Sequence, residues 1–154
     1  MKADSKKMGI PYCGAYCGAC SWKLASTESD ERHLTHKRFE TFEPREKQYF
    51  LACPGCRVGN YRSDCDFRVC AESRRLEHCI DCTEFPCKRH EDFNSDGVQH
   101  HANSIAGLNV LKNEGADAWL RIQETKWTCS CGAKLTWYLE SCLKCGRPVR
   151  LEKR

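Results

Sequence analysis

Fourteen of the 154 residues are cysteines, and they occur in short loops rather than singly. The most specific pattern is Cys129-Ser130-Cys131-Gly132 followed, after nine intervening residues, by Cys142-Leu143-Lys144-Cys145-Gly146. Zinc takes four tetrahedral ligands, and two loops that each offer two thiolates supply them, with the following glycine letting the backbone turn beneath the metal. The first pair is C-x-C where C-x2-C is usual, which tightens that knuckle. Cys129, Cys131, Cys142 and Cys145 are therefore expected to hold one structural ion with no open position.

The other ten cysteines are Cys13, Cys17, Cys20, Cys53, Cys56, Cys65, Cys70, Cys79, Cys82 and Cys87. All ten are candidate metal ligands, and spacing leaves their grouping open. One partition joins Cys17 and Cys20 to Cys53 and Cys56, two C-x2-C knuckles on either side of a helical stretch, and makes a second site of Cys70, Cys79, Cys82 and Cys87. Cys13 and Cys65 then remain. They could complete a third centre with a histidine such as His78 or His90, bridge two metals, or lie buried as small hydrophobes. An iron–sulfur cluster in this region is the alternative to zinc, since three close thiolates and a remote one also suit a cluster.

Other chemistries fit the cysteines less well. Cys13-x3-Cys17-x2-Cys20 has the spacing of the radical S-adenosylmethionine cluster motif, but Ala19 stands where an aromatic residue is usual and the chain is too short for the barrel. Cys53-Pro54-Gly55-Cys56 has thioredoxin-like spacing without a βαβ pattern around it, so a metal knuckle is the better reading. No pair is followed directly by histidine, which leaves c-type haem unsupported. His33 and His36 are expected on the solvated face of a charged helix, and His100-His101 at a helix start, in a capping or packing role. Trp119, Trp127, Trp137 and Tyr138 are expected in the core rather than as base-stacking platforms.

The elements that must position these residues are small. Glu28 to Leu51 reads as one or two helices interrupted at Pro44, and Ala52 to His90 as knuckles with one helix near Cys70 to Leu76. Val98 to Lys112 has helical periodicity, Gly115 is a stop, and Ala116 to Thr125 is a second helix. Lys134 to Leu139 reads as a strand between the last two knuckles. The expected fold class is a small metal-stabilised α+β protein, with a cysteine-rich metal-binding domain over 10–92, a helical connector over 93–126 and a C-terminal zinc ribbon over 127–150. The 40% hydrophobic fraction includes the cysteines, so the oily core is meagre and metal must help to order the chain.

Lys2, Lys6 and Lys7 are not followed by an apolar run of export-signal length, and no segment is long and apolar enough for a membrane span. A soluble, cytoplasmic protein is expected, where paired cysteines serve as ligands rather than bridges. The formal charge of +4 counts every thiol as neutral; three zinc ions on twelve thiolates would turn it to about −2. Lys134, Lys144, Arg147, Arg150, Lys153 and Arg154 give nucleic-acid binding through the ribbon some support, against many interleaved acidic residues.

Tyr12-Cys13-Gly14-x2-Cys17-x2-Cys20, Cys53-x2-Cys56, Cys65-x4-Cys70 and Cys79-x2-Cys82-x3-Pro86-Cys87 together resemble an uncharacterised cysteine-rich family of bacteria and archaea, a domain of unknown function. The resemblance covers about residues 10 to 90, with the connector and ribbon similar to an extension carried by some members. It implies a small prokaryotic metal-binding domain and carries no activity to any residue. Where that family commonly has an aliphatic residue after the first Cys-Gly and an isoleucine near Phe67, this chain has Ala15 and Phe67-Arg68. With no evident nucleophile–base pair, the expected function is a zinc-binding interaction or regulatory module with a protein partner, holding about three ions, rather than an enzyme. The competing reading is an iron–sulfur or thiol redox protein.

Overall fold

The computed structural model of the chain describes residues 9–59 and 61–150. Lys2, Lys6, Lys7, Lys153 and Arg154 lie outside the described residues. Five α-helices are formed among the described residues: α1 (Ser21–Thr27), α2 (Pro44–Leu51), α3 (Asp66–Ser73), α4 (Lys88–Ser95) and α5 (Ser104–Lys126). Single 3₁₀ turns at Cys17–Ala19, Glu31–Leu34, Lys37–Phe39 and Cys79–Asp81 join them. Extended structure is limited, among the described residues, to two isolated antiparallel bridges, Thr128 with Lys134 and Ser141 with Pro148. The molecule is thus mostly helical, and the β part of the expected α+β class is confined to those two bridges.

Several element boundaries differ from the sequence reading, each for a local reason. Pro44 opens α2 instead of interrupting a helix, because its missing N–H falls where no partner is needed and the Glu46 carboxylate accepts the Glu43 N–H at 2.9 Å. The helix expected from Val98 starts only at Ser104, since Gly97 takes a φ of 82° and Asp96 Oδ1 accepts the Val98 N–H at 2.9 Å in a local turn. Gly115, at φ 84°, breaks α5 between two helical stretches, as a stop signal should. Leu135 and Thr136 are both buried, with Leu139 beside them, so the run cannot alternate as a strand and instead turns at Trp137-Tyr138.

The chain forms two compact units. The first consists of residues up to Cys17 together with Pro54–Arg121. Its core is Ile10, Ile80, Leu108, Leu111 and Trp119, with Tyr16 and Phe85 packed against it. The spacing of Leu108 and Leu111 puts both on one face of α5, and Trp119 follows beyond the Gly115 break. Gly14 sits against that face at φ 81°, where a Cβ would come within 2.7 Å of Leu108 Cγ and 3.0 Å of the Ser104 carbonyl oxygen. Both the left-handed backbone and the close approach demand glycine. Gly14→Ala is expected to destabilise the first unit by about 3 kcal/mol, read by denaturant unfolding; an unchanged midpoint would refute the tight packing.

The second unit, Gly18–Cys53 with the residues from Ile122 onward, is built on aromatic side chains. Trp22 of α1 lies edge-on to Phe39 at 5.2 Å and Phe42 at 5.3 Å and stacks on Phe50 at 5.4 Å. Phe39 meets Tyr138 at 5.7 Å, and Arg38 lies over the Tyr138 ring. Trp119 and Trp127 are buried, as expected of core residues. His33, expected on a solvated face, is instead 2% exposed with Nε2 2.8 Å from Glu28 Oε2. A 3₁₀ turn begun by Asp30, whose side chain accepts the Arg32 N–H, replaces the regular helix and rotates His33 inward.

Candidate metal centre

Four thiols converge in the C-terminal segment. Cys129, Cys131, Cys142 and Cys145 bring their sulfurs within 4.8 Å of one another, and among the described residues this is the group of three or more potential ligands that does so. Cys129 lies 3.6 Å from Cys145, and Cys131 lies 3.7 Å from Cys142. Both are far beyond the roughly 2.05 Å of a disulfide. All fourteen cysteines are thiols.

The backbone explains why they meet. Gly132 and Gly146 adopt φ of 84° and 72°, and their N–H groups close tight turns onto the carbonyls of Cys129 at 2.8 Å and Cys142 at 2.9 Å. Cys129 N–H to the Ala133 carbonyl and Cys142 N–H to the Arg147 carbonyl, both 2.8 Å, return each loop on itself. Turns of this kind aim amides at sulfur. The Cys131 backbone N–H, with help from the other thiols, holds Cys129 down to about 6 against the effect of burial. Backbone N–H groups of Cys145 and Lys144 likewise lower Cys142. Cys145 is pushed up to about 11: the Arg147 N–H acts against the rise, while burial and the other three thiols drive it. Cys129 thus loses its proton easily and Cys145 with difficulty, as interacting neighbouring thiols do.

The other ten cysteines fall in the two units. In the second unit Cys20 has Cys53 as a charged neighbour, and burial raises its pKa. In the first unit a hydrogen bond from Cys17 holds Cys56 down to about 7 against burial. The expected group of Cys17, Cys20, Cys53 and Cys56 thus has Cys17 and Cys56 in one unit and Cys20 and Cys53 in the other. Burial pushes Cys13 up to about 12, with Cys56 and Cys65 adding to the rise. Burial does the same to Cys79, also to about 12, and the thiols whose charges act on it are Cys13, Cys70, Cys87 and Cys65.

Cys70, Cys79, Cys82 and Cys87 line a cavity of about 30 Å³ together with His90. Cys70 is on α3, Cys79 opens a 3₁₀ turn, and Cys87 caps α4. His90 is fully buried and burial lowers its pKa. Its ring is wedged between Phe67 at 4.7 Å and Phe85 at 5.0 Å. His101 has its Nδ1 2.7 Å from Asp96 Oδ2 and its ring stacked at 3.6 Å on Phe93, which lies edge-on to Phe67 at 4.8 Å, a packing arrangement at the turn before α5.

Arginines order the loops, and the sequence reading missed them. Arg68 of α3 donates to the carbonyls of Cys56 at 3.0 Å, Gly59 at 2.8 Å and Tyr61 at 2.7 Å while pairing with Glu72 at 2.7 Å. One planar guanidinium thereby pins the loop that follows the Cys53-x2-Cys56 knuckle. Arg57 donates to the carbonyls of Ile10 and Glu77 and stacks on Tyr12, 3.8 Å from its ring centre. Arg74 donates to Cys82 Sγ at 3.3 Å, and Arg89 donates to Cys70. The signal available was the regular placement of arginine beside cysteine, as in Cys56-Arg57 and Cys87-Lys88-Arg89. It has no unique meaning before the fold is known.

A small, mostly helical, cysteine-rich protein with a four-thiol group able to hold a metal ion is what this fold and site define. The chain belongs to the family described as protein of unknown function (DUF3795), whose model matches residues 9–92. No curated protein and no solved structure matches the chain.

Proposed function

We propose that the protein binds zinc through thiolates, that its C-terminal segment is a zinc ribbon, and that it acts as an interaction or regulatory module for a protein partner rather than as an enzyme. The observation that carries this reading is the spacing of the four ribbon sulfurs. A tetrahedral ion with Zn–S bonds of about 2.3 Å places its ligands about 3.8 Å apart, and the two observed separations of 3.6 and 3.7 Å are close to that edge. The set is all sulfur, which favours zinc or iron over harder ions, and the four donors would fill the four positions of a zinc ion. A filled coordination shell has no place for water or substrate, so the ion would be structural. The thiol state of all fourteen cysteines is in keeping with a cytoplasmic setting. No helix among the described residues is long and apolar enough to cross a membrane.

Anaerobic purification followed by elemental analysis and a visible spectrum tests the metal. A colourless preparation rich in zinc is expected; a brown, iron-containing one would replace this reading with a cluster protein.

A further inference from the structure

We propose that His90, together with Cys70, Cys79 and Cys87, forms a second site for a single zinc-like ion in the cavity of the first unit, with Cys82 outside the ligand set. The imidazole carries the argument. His90 Nε2 lies 3.2 Å from the Cys13 carbonyl oxygen, which can only accept, so Nε2 bears the proton and Nδ1 keeps its lone pair. Nδ1 is buried and has no hydrogen-bond partner. An unpaired buried nitrogen is costly, and a metal in the thiol-lined cavity would satisfy it. A ligating histidine characteristically donates its other ring N–H to a carbonyl, and the Cys13 contact supplies that anchor.

Position on the chain agrees. Cys87-Lys88-Arg89-His90 is a C-x2-H loop at the start of α4, and the His90 N–H bonds to the Cys87 carbonyl at 2.8 Å, so one turn of helix carries two donors. Cys70 and Cys87 are both among the thiols whose charges act on Cys79. Cys82 is not among those thiols; it accepts from Arg74, which pairs with Glu84 at 3.1 Å, although Arg89 makes a like contact with Cys70. A cavity of about 30 Å³ has room for roughly two water-sized spheres, enough for one ion. These donors are not drawn within 4.8 Å of one another as the ribbon sulfurs are, so binding must close the site by side-chain movement and release the protons of three thiols.

The test uses the full-length protein, zinc alone as the probe, and two readouts. Long-range ¹H–¹⁵N spectra of the six histidine rings should show His90 as the Nε2–H tautomer, with its Nδ1 resonance moving as zinc is added. Metal content should fall by one ion per chain in His90→Ala and stay at the parent value in Cys82→Ser. His90→Cys, which keeps a donor, should retain the ion and guards against a mere folding defect. Because Cys145→Ser removes the ribbon ion independently, failure of the ribbon reading is scored separately. A His90 Nδ1 resonance unmoved at zinc saturation, or an undiminished zinc count in His90→Ala, would overturn the proposal.

Discussion

Replacement of Cys145 by serine is expected to release one metal ion per chain and to unfold the ribbon while metal held elsewhere is retained. The size of the effect follows from how little else holds this segment. Its extended structure amounts to two isolated bridges, and its buried residues are few: Trp127, Leu135, Thr136, Leu139 and Cys142. Structural zinc contributes about 10–16 kcal/mol to the folding of comparable peptides, which exceeds anything so small a core can supply. Within the second unit the damage should spread, because Trp137 N–H bonds to the Ala19 carbonyl at 3.1 Å and Arg32 reaches the Leu143 carbonyl at 3.4 Å. Elemental analysis with hydrogen exchange measures both parts. An undiminished metal count in the variant would remove Cys145 from the ligand set.

A strong chelator with reductant should produce the second large effect, the loss of protease resistance between Cys13 and Cys87. The segment from Ala52 to His90 buries little apolar surface of its own: Phe67, Ala71 and Ile80 are its buried hydrophobic residues apart from cysteine. Ordering so many loop residues costs about 1–2 kcal/mol each in backbone entropy, which such burial cannot offset without metal. The helix carrying Leu108 and Leu111 should lose less, being stabilised by its own hydrogen bonds and a continuous apolar face. Limited proteolysis and circular dichroism before and after chelation read the difference. A metal-free, reduced protein that kept its native fold would make these cysteines sensors or catalysts instead.

The convergence of Cys129, Cys131, Cys142 and Cys145 was legible in the sequence because the four thiols come from two loops nine residues apart, so local spacing nearly determines their meeting. The grouping of the first-unit cysteines was not legible in the sequence, since loops far apart in the chain can be paired in many ways. His90 could be singled out only as one of two histidines near the cysteines; its burial and the anchoring of Nε2 on Cys13 depend on contacts 77 residues apart. Periodicity found the helices around Leu108 and Trp119, where one face is continuous. Within Glu28 to Leu51 it found the helix Pro44–Leu51 but not the 3₁₀ turns at Glu31–Leu34 and Lys37–Phe39, which obey a different period and turn His33 into the interior. The Lys134 to Leu139 run had strand-like residue types, but burial of adjacent Leu135 and Thr136 overrode that propensity.

The seat that Gly14 makes for Leu108 has a consequence for how this protein comes into being. The family match ends at residue 92, yet Leu108, Leu111 and Trp119 complete the core that Ile10 and Ile80 begin. A ribosome adding about 5–20 residues per second presents every cysteine from Cys13 to Cys87 well before that half of the core is made. Synthesis of the cysteine loops and their burial by the late helix are therefore separate events in time, and a fragment cut at the family boundary would lack Leu108, Leu111 and Trp119 of the core.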